Sequence, residues 1–184
     1  MAAIGVLELT SIARGFEAAD DMAKAAEVRL LVAKPVCPGK FLIVIAGEVA
    51  GVSAAIAAGR NKAGACFVDD LLLPNIHPDV IPAFYGISES KTPEALGFVE
   101  TFSVAAAIEA ADAGVKTAAV DLIELRLALG MGGKSFVVFS GQISSVKAAV
   151  EAGCALASQK GLLTASSVIP APDEQIRRLL AGLT

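Results

Sequence analysis

The sequence predicts an α/β protein of the α+β, ferredoxin-like class, made of two tandem β-α-β-β-α-β units. Two observations predict it: the chain of 184 residues repeats itself, and each copy alternates short β-rich runs with segments of helical periodicity. The segment AIGVLE at residues 3–8 returns as ALGFVE at residues 95–100, and further matches follow along each copy. We therefore predict a first domain at residues 1–92, including a linker, and a second domain at residues 93–184.

The first half of each unit is a strand followed by a capped helix. Alternating apolar residues with a fixed glutamate predict strands at residues 4–9 and 96–101, and Ser11 and Ser103 are typical helix N-caps. Apolar residues then recur at helical spacing, which predicts the helix face that packs on the sheet. These positions are Ile12, Phe16, Ala19, Ala23 and Ala26 in the first copy and Val104, Ile108, Ala111, Val115 and Ala118 in the second.

The second half of each unit adds a hairpin, an alanine-rich helix and a closing strand. The hairpin strands are predicted at residues 28–33, 41–46, 120–127 and 136–140, the helices at residues 49–60 and 143–157, and the closing strands at residues 66–73 and 162–168. Gly47 predicts a turn between strand and helix in the first copy. Pro172 and Asp173 predict the start of a short helix that ends at Leu180.

Composition excludes several classes of partner. Hydrophobic residues make up 55% of the chain and charged residues 18%, so we expect part of the surface to be buried against copies of the same chain. The net charge of −4 argues against a nucleic-acid partner, which would need clustered Lys and Arg. The absence of a polybasic stretch argues against an anionic membrane surface.

The most apolar run, FLIVIAGEVAGVSAAIAAG at residues 41–59, is almost long enough to span a membrane. Glu48 and the switch from β-branched residues to alanines indicate a strand and a helix instead. The N-terminus carries Glu8 and no positive n-region, so we expect no signal peptide. Three widely spaced cysteines do not form a disulfide framework, which favours a cytosolic protein.

Several short motifs carry a family resemblance. EAAD occurs at residues 17–20 and 109–112, each followed four residues later by a lysine, and GEV at residues 47–49 precedes the alanine-rich helix. The second copy ends in SVIPAP at residues 167–172. With the strand motif G-x-x-E in both copies, this pattern resembles the shell domain of bacterial microcompartments. Two fused, unpermuted domains resemble the tandem-domain shell proteins that form trimers.

This resemblance implies a structural role and not an enzyme. Three chains would form a flat pseudo-hexamer of six domains, which tiles edge to edge with other shell proteins into a polyhedral organelle of the bacterial cytoplasm. Lys24 and Lys116 match the family's edge lysine. His77 stands where an edge arginine is common, and Ala171 stands there in the second copy.

The loop between the two hairpin strands differs between the copies, and in the family this loop lines the central pore. The corresponding residues are Pro35, Val36, Cys37, Pro38 and Gly39 in the first copy and Gly130, Met131, Gly132 and Gly133 in the second. The VCPGKF loop at residues 36–41 resembles a subtype associated with 1,2-propanediol breakdown. That resemblance implies one 4Fe–4S cluster per trimer, held by three copies of Cys37, for electron transfer across the shell or to an encapsulated redox enzyme.

A free thiol in a metal-free pore that conducts small metabolites is the alternative. Cys66 and Cys154 are expected to be buried small residues. The recurring carboxylates, Glu8, Glu17, Asp20 and their counterparts, are expected to be structural.

The loop ALGMGGKS at residues 128–135 fits a relaxed phosphate-binding loop. Such a loop needs a helix after it, and here a strand is predicted. Nucleotide binding is therefore not expected.

Overall fold

The protein consists of two compact units, Met1–Ile76 and His77–Thr184. The structure, a computed structural model, describes residues 2–85 and 94–181. The predicted boundary between residues 92 and 93 lies outside the described residues. The connecting residues 77–85 group with the second unit.

The first unit is a four-stranded antiparallel sheet with two long helices. Its elements are β1 (Ala2–Leu9), α1 (Ile12–Ala25), β2 (Val28–Val36), β3 (Lys40–Glu48), α2 (Val49–Ala63) and β4 (Phe67–Pro74). The strands lie in the order β2-β3-β1-β4, and β1 is paired along its length with β3. This is the predicted β-α-β-β-α-β arrangement, in which two crossovers interleave.

The second unit repeats this order and adds a short helix at each end. Its elements are α3 (Val80–Ala83), β5 (Ala95–Thr101), α4 (Val104–Thr117), β6 (Asp121–Arg126), β7 (Ser135–Gly141), α5 (Ile143–Gln159), β8 (Leu163–Ile169) and α6 (Glu174–Ala181). The sheet order β6-β7-β5-β8 matches that of the first unit. The predicted fold class is confirmed.

The helices α1 and α4 begin where the sequence predicted, whereas the residues before α2 differ from the prediction. Ser11 caps α1 by accepting a hydrogen bond from the Arg14 amide at 3.3 Å, and Ser103 caps α4 in the same way through Ala106. The predicted turn at Gly47 is wrong, because β3 continues to Glu48 and α2 begins at the next residue. The sequence did not predict α3, whose four residues are too few for a helical period.

The main core of the first unit lies between the sheet and its helices. It contains Leu7, Phe41 and Ile43 from the strands and Met22 and Ile56 from the helices, all 5% exposed or less. Equivalent glycines on the central strands let the second helix approach: a Cβ on Gly5 would lie 2.7 Å from Val52, and one on Gly97 would lie 2.5 Å from Val150. Close helix–sheet contact therefore requires glycine at both positions.

The buried face of α1 differs from the prediction. Gly15, Ala18, Ala19 and Met22 are buried, whereas Ile12 and Phe16 of the predicted stripe are exposed. The reason is distance, since a Cβ on Gly15 would lie 2.3 Å from the Phe41 ring. Gly15, Ala18 and Ala19 therefore face the sheet together with Met22, whereas Ile12 and Phe16 lie at the exposed margin of the helix, where the Phe16 ring still contacts the Phe41 ring at a centroid distance of 4.7 Å. In α4 the predicted positions from Val104 to Val115 are all buried.

The second unit also has a smaller apolar cluster on the other face of its sheet. Because neighbouring residues of a strand point to opposite faces, Leu96 and Phe98 lie opposite the face that Gly97 turns to α5. Leu96 packs there with Ile123 and Val138, and Leu180 of α6 packs against them. The C-terminal helix thus lies against the face of the sheet that α4 and α5 do not cover.

At one pair of equivalent positions, the two cores place the larger side chain on different elements. Phe139 of β7 is fully buried, and a Cβ on Gly114 of α4 would lie 2.4 Å from its ring. The first unit has Met22 and Ile45 at these two positions, both fully buried. A larger strand residue is therefore matched by a smaller helix residue, as close packing requires.

We predict that Gly114→Ala destabilises the second unit by about 1–3 kcal/mol, because the added methyl group has no space beside Phe139. Chemical denaturation followed by circular dichroism measures the change. Adding Phe139→Ile, the residue type of the first unit, recovers part of the loss.

The matched control is Gly51→Ala in α2, where the nearest atom to an added Cβ is 3.6 Å away. We expect it to change stability by less than about 1 kcal/mol, in the stabilising direction. Equal midpoints for Gly114→Ala and the wild type would contradict the packing account.

Candidate functional site: the two hairpin loops

The loop between β2 and β3 is short, and paired strand residues bound it on both sides. Val36 is paired with Lys40, which leaves only Cys37, Pro38 and Gly39 in the loop. Gly39 has a φ of +80°, a conformation that favours glycine. Pro35, predicted to line the pore, is a strand residue paired with Phe41, and Val36 is buried. Cys37, Pro38 and Gly39 are therefore the predicted pore residues at the tip.

Cys37 is half-buried at this tip and is a free thiol. Within residues 2–85 and 94–181, no three His, Cys, Asp or Glu side chains come together in a way that could hold a metal ion. One chain therefore offers a single thiolate at this position. A cubane cluster normally takes four cysteine ligands, so the donor set suits a cluster only if several chains bring Cys37 together.

The loop between β6 and β7 is longer and contains several residues of positive φ. Ala128, Gly130, Gly132 and Gly133 have φ values between 47° and 92°. The loop is closed by two hydrogen bonds: the Ala128 amide donates to Ser135 Oγ at 3.1 Å, and the Lys134 amide donates to the Met131 carbonyl at 3.1 Å. A Cβ on Gly130 or Gly132 would meet no atom within 4 Å, so the tip is open.

A strand and not a helix follows this glycine-rich loop. The residues after Lys134 form β7. The loop amides therefore lack the helix N-terminus that a phosphate-binding loop requires. The expectation that this motif is not a phosphate-binding loop agrees with the structure.

Equivalent ion pairs anchor the two loops. Lys40 follows the first loop, and its Nζ lies 3.0 Å from Glu8 Oε2 on β1. Lys134 ends the second loop, and its Nζ lies 2.5 Å from Glu100 Oε1 on β5. The sequence showed these glutamates and lysines repeating but did not indicate that they pair. Each loop is thus tied to the central strand of its own sheet.

The first of these pairs lies deeper than the second. The side chain of Glu8 is 4% exposed, and that of Glu100 is 33% exposed. Within the described residues, Glu8 Oε1 is buried without a hydrogen-bond partner. Lys40 therefore compensates the buried charge of Glu8, and removing it would leave a carboxylate in an apolar setting.

The three predicted tile-edge residues lie near recurring aspartates. Lys24 Nζ is 2.5 Å from Asp20, and this hydrogen bond, with the attraction between the two charges, raises the pKa of Lys24. Lys116 Nζ is 2.6 Å from Asp112, which also accepts a hydrogen bond from the His77 amide at 2.8 Å. Lys24 is well exposed and His77 is about one-third exposed. Their role at a tile edge stays a prediction.

The other recurring glutamates form ion pairs, and the other two cysteines lie outside the hairpin loops. Glu17 pairs with Arg14 at 3.0 Å, and Glu109 pairs with Lys160 at 2.5 Å. Cys66 lies in a 3₁₀ turn before β4 and Cys154 lies in α5. Both cysteines are half-buried, so the expectation that they are buried small residues is wrong.

None of the helices in the described ranges is long and apolar enough to cross a membrane. The apolar run that raised this question is divided between β3 and α2.

Comparison with known proteins identifies the repeated unit. The sequence profile of the BMC domain matches residues 3–76 and again residues 95–172. The chain belongs to the BMC domain family. The two matches agree with the two β-α-β-β-α-β units, and the tandem organisation predicted from the repeat is confirmed.

Relatives of this BMC protein include tandem and single-domain chains. It is 51% identical to the bacterial microcompartment shell protein PduT of Citrobacter freundii, over 98% of both chains. It is 45% identical over 87 residues to the shell protein PduA of the same organism, which covers 47% of this chain and 91% of PduA. A crystal structure of a microcompartment protein from Desulfitobacterium hafniense matches with a TM-score of 0.93 and 49% identity, covering 97% of this chain and 99% of that one.

The chain is therefore a tandem BMC shell protein located in a bacterial microcompartment. The two loops are the parts of this BMC protein in which its halves differ most in length and residue type. They are the regions where a function specific to one half is expected.

We predict that Lys40→Met lowers the free energy of unfolding by about 3 kcal/mol, because the buried Glu8 carboxylate loses its partner. Glu8→Gln combined with Lys40→Met should cost less than Lys40→Met alone, since both charges are removed. Denaturant titration of the single and double variants measures this coupling.

Lys24→Met is the matched control, because the pair that Lys24 forms with Asp20 is exposed and screened by solvent, so its loss should leave the free energy of unfolding nearly unchanged. A Lys40→Met variant as stable as the Lys24→Met variant would show that Lys40 does not compensate a buried charge.

Proposed function

We propose that the chain is one of three protomers of a shell tile whose central opening holds a 4Fe–4S cluster on three copies of Cys37. The observation that carries the proposal is the position of Cys37 at the tip of a three-residue loop. The equivalent loop of the second BMC domain has no cysteine. In a trimer the thiol would thus occur in three of the six loops.

The assumption of a trimer is supported by the number of domains. Two BMC domains per chain complete a six-domain ring when three chains associate around an axis, and a closed ring is the common solution for identical chains. The exposed Ile12 and Phe16 on α1 provide apolar surface for such an association. Cys37 would then occur three times around the axis.

The loop residues suit a metal site in several ways. Pro35 and Pro38 restrict the backbone on either side of Cys37. A Cβ added to Gly39 would meet nothing within 4 Å, so there is open space beside this residue. Lys40, held by Glu8, fixes the base of the loop. A 4Fe–4S cluster supplies one-electron transfer, which would serve exchange across the shell or with an encapsulated redox enzyme.

The number of ligands makes the site incomplete by one. Three thiolates occupy three irons of a cubane cluster, and the fourth iron needs another donor. The described chain has no further cysteine in this loop, so the fourth ligand would be water, a small molecule or a group on a partner. An accessible iron is consistent with a role in redox exchange.

A metal-free opening for small metabolites is the second candidate function. The open tip at Gly130 and Gly132 favours it, since a Cβ added at either glycine would meet no atom within 4 Å. In this case Cys37 would only shape the opening.

Catalysis is not part of either proposal. Among the recurring carboxylates, Glu8, Glu17, Asp20 and their counterparts all pair with a lysine or an arginine.

The similarity to PduT favours a compartment for 1,2-propanediol breakdown.

We predict that anaerobic reconstitution with iron and sulfide gives the trimer a broad absorption band near about 400 nm. Iron analysis should give about four atoms per trimer. Cys37→Ser should lose both the band and the iron.

Cys154→Ser and Cys66→Ser are the matched controls, because they remove a half-buried thiol outside the loop, and both should keep the band. An iron-free, colourless wild-type trimer after reconstitution would overturn the cluster and favour the metal-free opening.

We also predict that sedimentation equilibrium and light scattering give about three times the mass of the chain. Cys37→Ser should keep this mass, because the association does not depend on the cluster. A wild-type protein that stays monomeric at micromolar concentration would contradict the tile itself.

A further inference from the structure

The first sheet places charged side chains on one face beside the loop that carries Cys37. Lys34 on β2 and Glu8 on β1 both pair with Leu42 of β3, and Lys40 is two residues before Leu42. Partners across strands point to the same face of a sheet, and so do alternate residues of one strand. Lys34, Lys40 and Glu8 therefore lie on one face at the base of the loop.

The second sheet has an equivalent row at the base of its own loop. Arg126 on β6 and Glu100 on β5 both pair with Phe136 of β7. Arg126 thus holds the position of Lys34, and the ion pair of Lys134 with Glu100 holds that of Lys40 with Glu8. Each sheet brings one further cation, in addition to the ion pair, to the end that carries the loop.

In the second sheet this further cation has a partner on its own strand. Arg126 forms an ion pair with Glu124, whose side chain is 7% exposed. The guanidinium carbon of Arg126 also lies 5.4 Å from the centre of the Phe136 ring. The positive charge of Arg126 is therefore compensated beside the second loop.

In the first sheet the equivalent cation has no such partner. Val32 holds the position of Glu124, because Val32 pairs with Val44 and Glu124 pairs with Val138 of the equivalent strand. Within residues 2–85 and 94–181, no carboxylate forms an ion pair with Lys34. The two halves of the chain thus differ in charge at the base of their loops.

The next carboxylate of this row lies on the far edge of the first sheet. Asp69 on β4 pairs with Glu8, and its Oδ1 accepts a hydrogen bond from the Asp70 amide at 2.9 Å. The strand order β2-β3-β1-β4 places three strand spacings, about 14 Å, between Lys34 and Asp69. Because this distance exceeds the Debye length of about 8 Å at physiological ionic strength, Asp69 does not neutralise Lys34.

Lys34 is close enough to Cys37 for its charge to act there. Lys34 is three residues before Cys37, and three residues of extended chain span at most about 10 Å. The side chain of Lys34 is half-buried, so solvent screens its charge less than that of a fully exposed lysine. The loop that carries the thiol therefore lies in a positive field.

A positive field matters for the group that this loop would hold. Three thiolates together carry more charge than a cubane core, so the ligated cluster would be an anion, and reduction by one electron makes it more negative. Net charge is one of the factors that set the reduction potential of such clusters. In a trimer Lys34 would occur three times around the axis, as Cys37 does.

We propose that Lys34 keeps the Cys37 loop positively charged and thereby favours the reduced form of the cluster. Lys34 tunes the site and is not a ligand. The second loop carries no thiolate, and there Glu124 compensates the equivalent cation. The inference rests on the proposed function for the cluster, whereas the positive loop is a property of the chain itself.

Lys34→Met tests the proposal, because it removes the charge and keeps an apolar side chain. At a fixed ambient potential, the ratio of reduced to oxidised cluster should fall about tenfold, since three charges at about 10 Å are lost even if each is screened as in water. For a one-electron couple this equals a shift of about 59 mV to a more negative midpoint. Potentiometric titration of the reconstituted trimer, followed by its visible absorption, measures it.

Two variants are matched controls for this titration. Lys34→Arg keeps the charge and should keep the ratio. Arg29→Met removes one charge from an exposed residue at the other end of β2, eight residues or about 26 Å from Cys37, and should leave the ratio unchanged. In about 1 M salt, where the Debye length is about 3 Å, the difference between Lys34→Met and the wild type should shrink.

Adding a carboxylate tests the same charge without removing Lys34. Val32→Glu copies the position of Glu124 and should also lower the ratio of reduced to oxidised cluster. Val32→Gln adds a side chain of similar size without charge and should lower it less. Light scattering shows which variants keep the mass of a trimer, and only those are compared.

A second measurement needs no cluster. In a chain whose Cys66 and Cys154 are replaced by serine, only Cys37 reacts with aromatic disulfides. Dithiobis(nitrobenzoate) carries two carboxylates, whereas dithiodipyridine is neutral. The ratio of the first rate to the second should fall about threefold in Lys34→Met at low salt, because the attraction of the anionic reagent is lost.

The outcomes separate this inference from the proposed function. A wild-type trimer that takes up no iron overturns the cluster and its tuning together, and the rate ratio then decides the charge of the loop alone. A cluster that forms in the wild type and in Lys34→Met with equal midpoint potentials overturns the tuning and leaves the cluster. An unchanged rate ratio in Lys34→Met overturns the positive loop in either case.

Discussion

The antiparallel pairing of β1 with β3 determines the position of most other parts of the first unit. In this register Glu8 lies opposite Leu42, which brings its carboxylate to Lys40 at the base of the loop. The same register turns Gly5 toward α2, where only a hydrogen atom fits against Val52. A shift of one residue would exchange the two faces of the strand, remove the ion pair and place side chains against the helix. The loop that carries Cys37 therefore depends on the central strand pair.

The second unit keeps this constraint and varies what surrounds it. β5 and β7 repeat the pairing, and Lys134 and Glu100 repeat the ion pair. The core residues have changed in a coupled way, since Phe139 is accommodated by Gly114. Changes of this kind conserve volume and leave the backbone frame unaltered. The loops are limited only by their anchored ends, so their lengths and residues could diverge without loss of the fold.

The sequence predicted the fold well because the repeat tested each element twice. The prediction failed on α1, where the short distance between helix and sheet, and not hydrophobicity, determines which residues face the sheet. On α1 the larger residues were expected to face the sheet, but Phe41 lies so close that Gly15 must face it. The pairing of Lys40 with Glu8 was missed because 32 residues separate them, although the recurrence of both residues in the second copy was a usable indication. The single cysteine between prolines was recognisable, whereas its ligand count depends on symmetry that one chain does not contain.

Duplication has a specific consequence for a site on a symmetry axis. In a ring of six identical domains, any residue of the loop would occur six times, which exceeds the four thiolates of a cubane cluster. When two domains are fused, a residue in one loop occurs three times, and the second loop is free to contribute Gly130 and Gly132 instead. A tandem chain can therefore hold a small number of ligands and an open backbone in the same ring. For the proposed cluster, this division between the two loops explains why the cysteine is found in only one copy of the repeat.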